Sequence, residues 1–583
     1  MTFKDFSEYL QKLEQTPARL DMTVILADLF KDLEKQEIKK ACYLMQGRLV
    51  PQYESLEFQL SIKMIIRALA RIKAKLSNEQ GGEGLFGDID YSKYESEVGK
   101  EFKKAGDIGL VSESIRKFEN LKIRELEILD VYNELKKIAL ENGEGSQERK
   151  VNGLAELLLK LDSISCKFVT RIVLGKMRLG FSIMTMLDGL SWSVKKDKSD
   201  NKALENAFQK KADIGLLAEL YLAEKNISAL SKYSAEVGVP IVPALCQRLN
   251  SAKEIIDTMG EVLAEPKYDG LRIQIHFAGQ KIRAYTRNLE EVSHMFPELN
   301  KIAEQLNCDN CVLDAEAIGV DIKTGKLVNF QETITRKRKH GVDDKAKQLP
   351  IRFYVFDCLF LDNKSLINNS LIERKQILDK LFKNNKILEK TEYIVTKSVE
   401  ELKKYHENQL GDGLEGAVIK KIDSEYKSGR KGWRWVKIKE GEGTTGKLSD
   451  TLDCVVMGYY FGKGKRVSFG MGAFLVGVLD NKEQIKTLAK IGTGLTDEQL
   501  TEFKTRIKDL EVDKKPEDYQ VHKNLFPDVW VDLGLVVEIA ADEITKSPVH
   551  SAEVALRFPR LVKFRDDKDW SQATNLNELK NIK

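Results

Sequence analysis

A chain of 583 residues exceeds what one hydrophobic core organises, and at roughly 150 residues per domain it predicts three or four units. Its 42% hydrophobic and 32% charged residues, with no apolar run approaching the roughly 20 residues that cross a bilayer, predict no membrane span. The 94 basic and 90 acidic residues leave a net charge of only +4, which excludes a uniformly basic nucleic-acid coat, so any polyanion site must come from local clustering.

Lys4, Asp5 and Glu8 stand where a secretory leader would be apolar, so the sequence predicts a protein that stays where it is made. Seven cysteines, an odd number scattered from Cys42 to Cys454, suit a reducing compartment rather than a disulfide framework. Cys308 and Cys311 have CxxC spacing but no second pair, and they read as strand-entry thiols rather than zinc ligands.

Residues 1–235 are expected to be helical. Apolar positions recur at three and four, as in Phe6, Tyr9, Leu10 and Leu13, then Ile65, Leu69 and Ile72, and only Pro17 and Pro51 interrupt the block. Gly106-Asp107-Ile108-Gly109-Leu110 is echoed by Ala212-Asp213-Ile214-Gly215-Leu216. An Asp-x-Gly turn before an apolar-periodic run is a helix start, and its second use predicts a duplicated helical unit. Pro240 and Pro243 then force an extended linker.

From 236 to 440 a mixed antiparallel α/β domain is expected. Leu271, Ile273, Ile275 and Phe277 alternate with Arg272, Gln274 and His276, and after Gly279 the run Ile282–Thr286 reads as the hairpin partner. A glycine-rich stretch, with Gly441, Gly443 and Gly446, leads into a block over 441–583. There Asp453–Tyr460, Phe474–Leu479 and Leu535–Ile539 read as strands of a small barrel of oligonucleotide-binding (OB) type.

Lys267-Tyr268-Asp269-Gly270 falls between a strand ending near Leu263 and the strand from Leu271, a sheet rim where a lysine nucleophile can be presented. Asp314 and Glu316 share one face of the strand Val312–Ile318. Lys437 and Lys439 share one face of the strand Trp433–Lys439. With Thr286-Arg287-Asn288, Val312 to Glu316, Phe353 to Asp357, Glu415 to Lys420, Trp435 to Lys439 and Arg557 to Lys568 in this order, the chain resembles the ATP-dependent DNA ligases. The likeness is to the archaeal-type and eukaryotic replicative group, within the covalent nucleotidyltransferase superfamily. Gly175-Lys176-Met177-Arg178-Leu179-Gly180 resembles a segment of that group's DNA-binding domain. Lys563 stands where the family commonly has arginine, and Pro266 where an aromatic is frequent.

The resemblance implies a multidomain α+β fold and three acts: Lys267 takes AMP from ATP, passes it to a DNA 5′-phosphate, and a 3′-hydroxyl displaces it to seal the nick. It makes Glu265 the adenine contact and Phe356 the stacking ring. Arg272 and Arg287 would take phosphate, Glu316 ribose or Mg2+, Glu415 Mg2+, and Lys437 and Lys439 the α-phosphate. Arg557, Arg560, Arg565 and Lys568 would engage the β,γ-phosphates from a mobile last domain hinged at the glycine-rich stretch. Physically, a lysine of pKa about 10.4 is only roughly 0.04% neutral at pH 7, so attack needs help worth up to ~4.6 kcal/mol, which nearby cations can supply.

Two basic runs, Arg336-Lys337-Arg338 and Lys463-Gly464-Lys465-Arg466, become candidates for duplex phosphate contact. The implied partner is nicked duplex DNA, met by a monomer in the cytoplasm at the nucleoid; recruitment by a sliding clamp stays open. A capping-type or RNA-joining enzyme would share the lysine motif without the helical block, and an NAD-dependent ligase would bring a four-cysteine zinc module. A catalytically silent DNA clamp would not need Lys267, Glu316, Glu415, Lys437 and Lys439 together.

Overall fold

The computed structural model describes residues 1–77, 91–117, 124–249, 251–328, 333, 348–383, 387–429, 432–438, 451–462, 466, 469–492 and 495–581. Contacts divide the chain into a first compact unit, Met1–Met177 with Phe181–Glu442, and a second that holds Gly443–Lys583.

The helical block runs α1 (Phe3–Gln15), α2 (Arg19–Asp32), α3 (Lys35–Met45), α4 (Ile62–Ser77), α5 (Ser92–Ala105) and α6 (Ile108–Lys117). It then repeats as α7 (Ile128–Leu140), α8 (Ser146–Lys160), α9 (Ser163–Leu174), α10 (Ile183–Lys195), α11 (Asn201–Lys210) and α12 (Ile214–Glu224). The packing obeys the duplication: α2 with α10 is matched by α8 with α4, α3 with α12 by α9 with α6, and α1 with α9 by α7 with α3. A local dyad lies between Thr2 and Glu127, the N-caps of α1 and α7. There the Phe3 N–H donates to the Leu126 carbonyl at 2.8 Å and the Ile128 N–H to the Met1 carbonyl at 3.1 Å, one bond exchanged in each direction.

Both Asp-Ile-Gly turns start helices, α6 and α12, and Asp213 caps α12 by accepting the Leu216 N–H at 2.9 Å. Their glycines serve approach. A Cβ at Gly109 would lie 2.8 Å from Arg171 Cγ on α9, and one at Gly215 would lie 2.7 Å from Tyr43 Cε1 on α3. Only glycine lets the partner helix pack this near.

The linker is extended and is strapped down by the sheet that follows it. After β1 (Gln247–Arg248) and α13 (Ala252–Met259) come β2 (Val262–Pro266), β3 (Leu271–Ala278), β4 (Lys281–Thr286) and β5 (Asn310–Gly319). The apolar side of β3, Ile273, Ile275 and Phe277, enters a core with Leu313, Ala315 and Val355. Its polar side grips the linker. His276 Nδ1 accepts the Gly238 N–H at 3.0 Å, Gln274 exchanges two hydrogen bonds with Ile241 at 2.8 and 2.9 Å, and Arg272 donates to the Ala244 carbonyl at 2.6 Å.

The domain continues with β6 (Ile351–Leu361), β7 (Lys364–Ser365), α14 (Leu371–Leu381), β8 (Leu388–Lys390), β9 (Ile394–Thr396), α15 (Val399–Gly411), β10 (Ala417–Lys421) and β11 (Trp435–Ile438). Among the described residues one sheet is ordered β1-β11-β10-β2-β9 and the other β4-β3-β5-β6-β7, with β8 on β6. The mixed antiparallel expectation holds. β2 runs on to Pro266, past its expected end, because it pairs with β10 through Pro266 and Ala417. β11 starts at Trp435 rather than Trp433, whose φ of 45° is not a strand conformation.

The second unit holds β12 (Leu452–Tyr460), β13 (Ala473–Leu479), β14 (Ile485–Ile491), α16 (Asp497–Ile507), β15 (Glu511–Val512), β16 (Tyr519–Gln520), β17 (Val529–Val531), β18 (Val536–Ala540), β19 (Glu543–Lys546), β20 (Val554–Arg557) and β21 (Arg560–Phe564). β12 pairs with β13, β17 and β18, and β18 with β21, an OB-like sheet around Val456, Phe474, Val476 and Ile539. No helix among the described residues is long and apolar enough to cross a membrane.

Candidate active site

Lys267 sits on the short connection from β2 to β3, which is also the passage from one sheet to the other. The backbone fixes it twice: its N–H donates to the Gly416 carbonyl at 2.9 Å, and its carbonyl accepts the Glu415 N–H at 3.1 Å. Its ammonium donates to the Glu415 carboxylate, and both side chains keep some exposure, 19% and 14%. Gly270 completes the turn, because a Cβ there would lie 2.6 Å from the Ala317 carbonyl oxygen.

Arg272 and Glu316 are directly opposed on β3 and β5. The Arg272 guanidinium reaches diagonally to Asp314, with Nε at 3.0 Å and Nη2 at 2.6 Å, and Tyr426 donates to the same carboxylate at 2.9 Å. The side chain expected on phosphate is thus tied to Asp314 and to the linker. Glu316 is half-buried. Burial pushes its carboxyl up to about 7, the neighbouring Asp314 and Glu415 charges push the same way, and Lys267 and Arg272 offset only part of this.

Behind the nucleophile lies a buried charge cluster. Glu265, near the end of β2 and two residues before Lys267, is 2% exposed and pairs with Lys375 of α14 and, at 2.5 Å, with Lys420 of β10. The Lys420 ammonium lies 4.5 Å from the Phe356 ring centre and 4.2 Å from that of Trp435. Arg272 stands 5.3 Å from both rings, and the rings meet edge-on at 6.0 Å. Phe356 is half-buried, packed against a core cluster that includes Trp435 and Tyr426 and standing beside these cations. Next to it Arg374 closes a fully buried fork on Asp357, at 2.8 and 3.1 Å, which holds α14 to β6.

The remaining positions divide. Arg287 is exposed on the turn after β4, where Gln52 of the helical block donates to the Asn288 carbonyl at 2.7 Å. Lys437 is half-buried on β11, opposite Val418 of β10. Lys439, Arg336, Lys337, Arg338, Lys463, Lys465 and the glycines 441, 443 and 446 lie outside the described residues. Arg466 donates to the carbonyls of Gly472, at 2.8 Å, and Gly492. In the second unit Arg565 and Lys568 share Asp453 at 2.8 and 2.7 Å, Arg560 holds Asp542 at 2.8 Å, and Arg557 lies 3.4 Å from Glu543.

Sequence reasoning passed over Lys375 and gave Lys420 no role. A signal existed for the first: Leu371, Lys375 and Leu378 follow one helical stripe, so a lysine occupies a core-facing position.

The donor set suits a hard divalent cation. Among the described residues no three metal-ligating side chains converge. Mg2+ characteristically takes one or two carboxylates and completes its shell with water and substrate phosphates, and Glu316 beside Glu415 is such a pair, its like charges calling for a cation.

A lysine presented at the junction of two sheets, flanked by carboxylates and backed by an aromatic wall and buried cations, defines the covalent nucleotidyltransferase class. Residues 2–191 match the family described as DNA ligase N terminus, 243–439 the ATP dependent DNA ligase domain, and 468–568 the ATP dependent DNA ligase C terminal region. The chain is 38% identical to "Probable DNA ligase" of Dictyoglomus turgidum over 99% of its own length and 97% of the relative's, and 31% identical to "DNA ligase" of Sulfolobus acidocaldarius with the same coverage. The solved structure "Pmar-Lig_PreS3" shares the fold with a TM-score of 0.53 at 17% identity, over 96% of this chain and 99% of that one. The chain belongs to the ATP-dependent DNA ligases, enzymes that seal nicks in DNA.

Proposed function

We propose that Lys267 carries the adenylyl group, and that the surrounding side chains divide the work of the three steps. In the first, the Nζ lone pair forms a bond to the α-phosphorus of ATP while the bond from that phosphorus to the β-phosphate oxygen breaks, and pyrophosphate leaves. In the second, an oxygen of the DNA 5′-phosphate takes the adenylyl group and the P–N bond breaks. In the third, the 3′-hydroxyl attacks the 5′-phosphorus and AMP departs.

The observation that carries this reading is the Lys267–Glu415 contact, a nucleophile partly open to solvent with its counter-ion beside it. For attack the ammonium gives up a proton, which Glu415, its hydrogen-bond acceptor, is placed to take, while Arg272 and the other cations of the site favour the neutral amine. Glu316 and Glu415 would hold Mg2+, which supplies charge neutralisation to the triphosphate. Phe356 stacks on the base, Glu265 reads it, and Arg287, Lys437 and Lys439 take phosphate oxygens. Arg272 shapes the pocket and orients toward the nick, while Arg557, Arg560, Arg565 and Lys568 serve pyrophosphate departure in the first step. Residues 1–235 grip the duplex, 236–440 carry the chemistry and 441–583 form the OB-like domain, with Arg336, Lys337, Arg338, Lys463, Lys465 and Arg466 as further phosphate contacts.

The test separates the steps. With labelled ATP and Mg2+, Lys267→Ala should form no acid-labile AMP adduct and seal no ordinary nick, yet still close weakly a nick that already carries a 5′-adenylate. An adduct persisting in this variant sinks the assignment.

A further inference from the structure

We propose that Lys375 is a positioning residue for base selection, holding the Glu265 carboxylate fixed so that it accepts a hydrogen bond from the 6-amino group of adenine. The proposal rests on Glu265 being the adenine contact and extends it to a residue outside the quoted motifs.

Lys375 projects from the apolar stripe of α14 and is 1% exposed, a burial that a lysine tolerates only with a partner. That partner is Glu265, 2% exposed itself. One carboxylate oxygen faces Lys375 and the other faces Lys420. The lysines come from different elements, α14 and β10, so the carboxylate is clamped from two directions. A carboxylate has about four lone-pair sites; two ammonium groups leave acceptor capacity and no donor. A base that offers an amino group is matched there, and one that offers a bare C–H or a carbonyl is not. The cluster also borders the ring expected to stack: Lys420 links Glu265 to Phe356 and Trp435.

Without Lys375, Glu265 would be held from the Lys420 side alone, and its carboxylate could turn away from the base. The site would then lose its preference for an amino group, while Lys267 and its surroundings would be unchanged. A purely structural lysine would behave otherwise, since its loss would lower the active fraction equally for every nucleotide.

The decisive measurement is a ratio within one preparation, so a misfolded fraction cancels. Lysine adenylylation by the full chain is followed with ATP and with purine riboside 5′-triphosphate, which lacks the 6-amino group, in wild type, Lys375→Met, Lys375→Arg and Glu265→Gln. Wild type should favour ATP by roughly 10- to 100-fold, the span of a hydrogen bond to a charged group. Lys375→Met should reduce the preference to about threefold or less by raising KM for ATP, and Lys375→Arg should restore most of it. Glu265→Gln should lose it as well, because an amide gripped by two lysines must give them its oxygen and turn its NH2 toward the base. Should Lys375→Met keep the wild-type ratio while Glu265→Gln loses it, the proposal falls and the Glu265 reading stands. A wild-type ratio in Glu265→Gln overturns both.

Discussion

The two Asp-Ile-Gly turns of the helical block each start a helix and differ in chemistry. Asp107 Oδ1 accepts the Gly109 N–H at 2.8 Å, and Asp107 Oδ2 takes Arg171 at 2.5 Å. Arg171 also holds Glu14 at 2.8 Å, and Glu14 holds Lys167 at 2.6 Å. Asp213, at the equivalent place, accepts the hydroxyls of Tyr43 at 2.8 Å and Tyr53 at 2.7 Å, while Tyr233 donates to its carbonyl at 2.7 Å. Tyr43 and Arg171 are themselves equivalent, each four residues before a glycine, Gly47 and Gly175. Duplication thus preserved the helix start and the close approach, and left the polar partner free to diverge. The tyrosine copy is the one that meets the catalytic domain: Tyr53 packs edge-on against Tyr285 of β4 at 6.3 Å, and the Tyr285 hydroxyl holds the Gly238 carbonyl at 2.7 Å. A cluster of ion pairs stabilises the interior of the block, and one in which an aspartate meets tyrosine hydroxyls forms the joint.

The sharpest way to break this contrast is to remove the same charge in each copy. Asp107→Asn should cost about 3–5 kcal/mol, because buried Arg171 loses one of its two carboxylates. Asp213→Asn should cost only about 1 kcal/mol, since tyrosine hydroxyls both donate and accept. Urea unfolding of the two variants measures the difference, and equal losses would mean that charge is not what distinguishes the copies.

Acid should act next, and at the joint. His276 is 1% exposed with Nδ1 accepting from Gly238, so its ring proton lies on Nε2 toward Gln274, and burial with nearby Arg283 pushes its pKa down to about 3. A depressed histidine contributes stability that is present above its unfolded pKa near 6.5 and is lost as pH falls toward 3. The loss reaches at most about 1.4 kcal/mol per pH unit. His276→Gln should flatten that part of the stability profile; a profile of unchanged slope would remove the joint as an acid-sensitive place. The smallest effect is expected from Tyr53→Phe, about 1 kcal/mol, with the rate of lysine adenylylation unaltered because no atom of the nucleotide site moves. A slowed adduct rate in this variant would show that the joint reaches the chemistry.

Much of this was readable in the residues. The repeated turn announced two helix starts, the alternation of Leu271 to Phe277 announced a half-buried strand, and the ordered motifs around Lys267 announced the ligase family. What stayed hidden was which distant side chain answers each polar group. Asp107 and Arg171 are 64 residues apart, and Tyr43 and Asp213 170. No local pattern encodes such a pairing, so an arginine partner in one copy and a tyrosine in the other could not be told apart. The alternation along β3 marked a polar side without showing that the linker is what it holds. Lys375 was passed over, although its place on the Leu371–Leu378 stripe puts a charge at a core-facing position.

The strap across β3 decides where this chain can be cut and recombined. A catalytic fragment begun at residue 245 would keep every strand but discard Gly238, Ile241 and Ala244, whose backbone groups satisfy His276, Gln274 and Arg272. Two of those side chains are almost fully enclosed, so the fragment would start life with an open polar trench along its central hairpin. For grafting the helical block of one relative onto the catalytic half of another, the seam belongs between Tyr233, whose hydroxyl serves the helices, and Val237, after which the backbone is heritable property of the sheet.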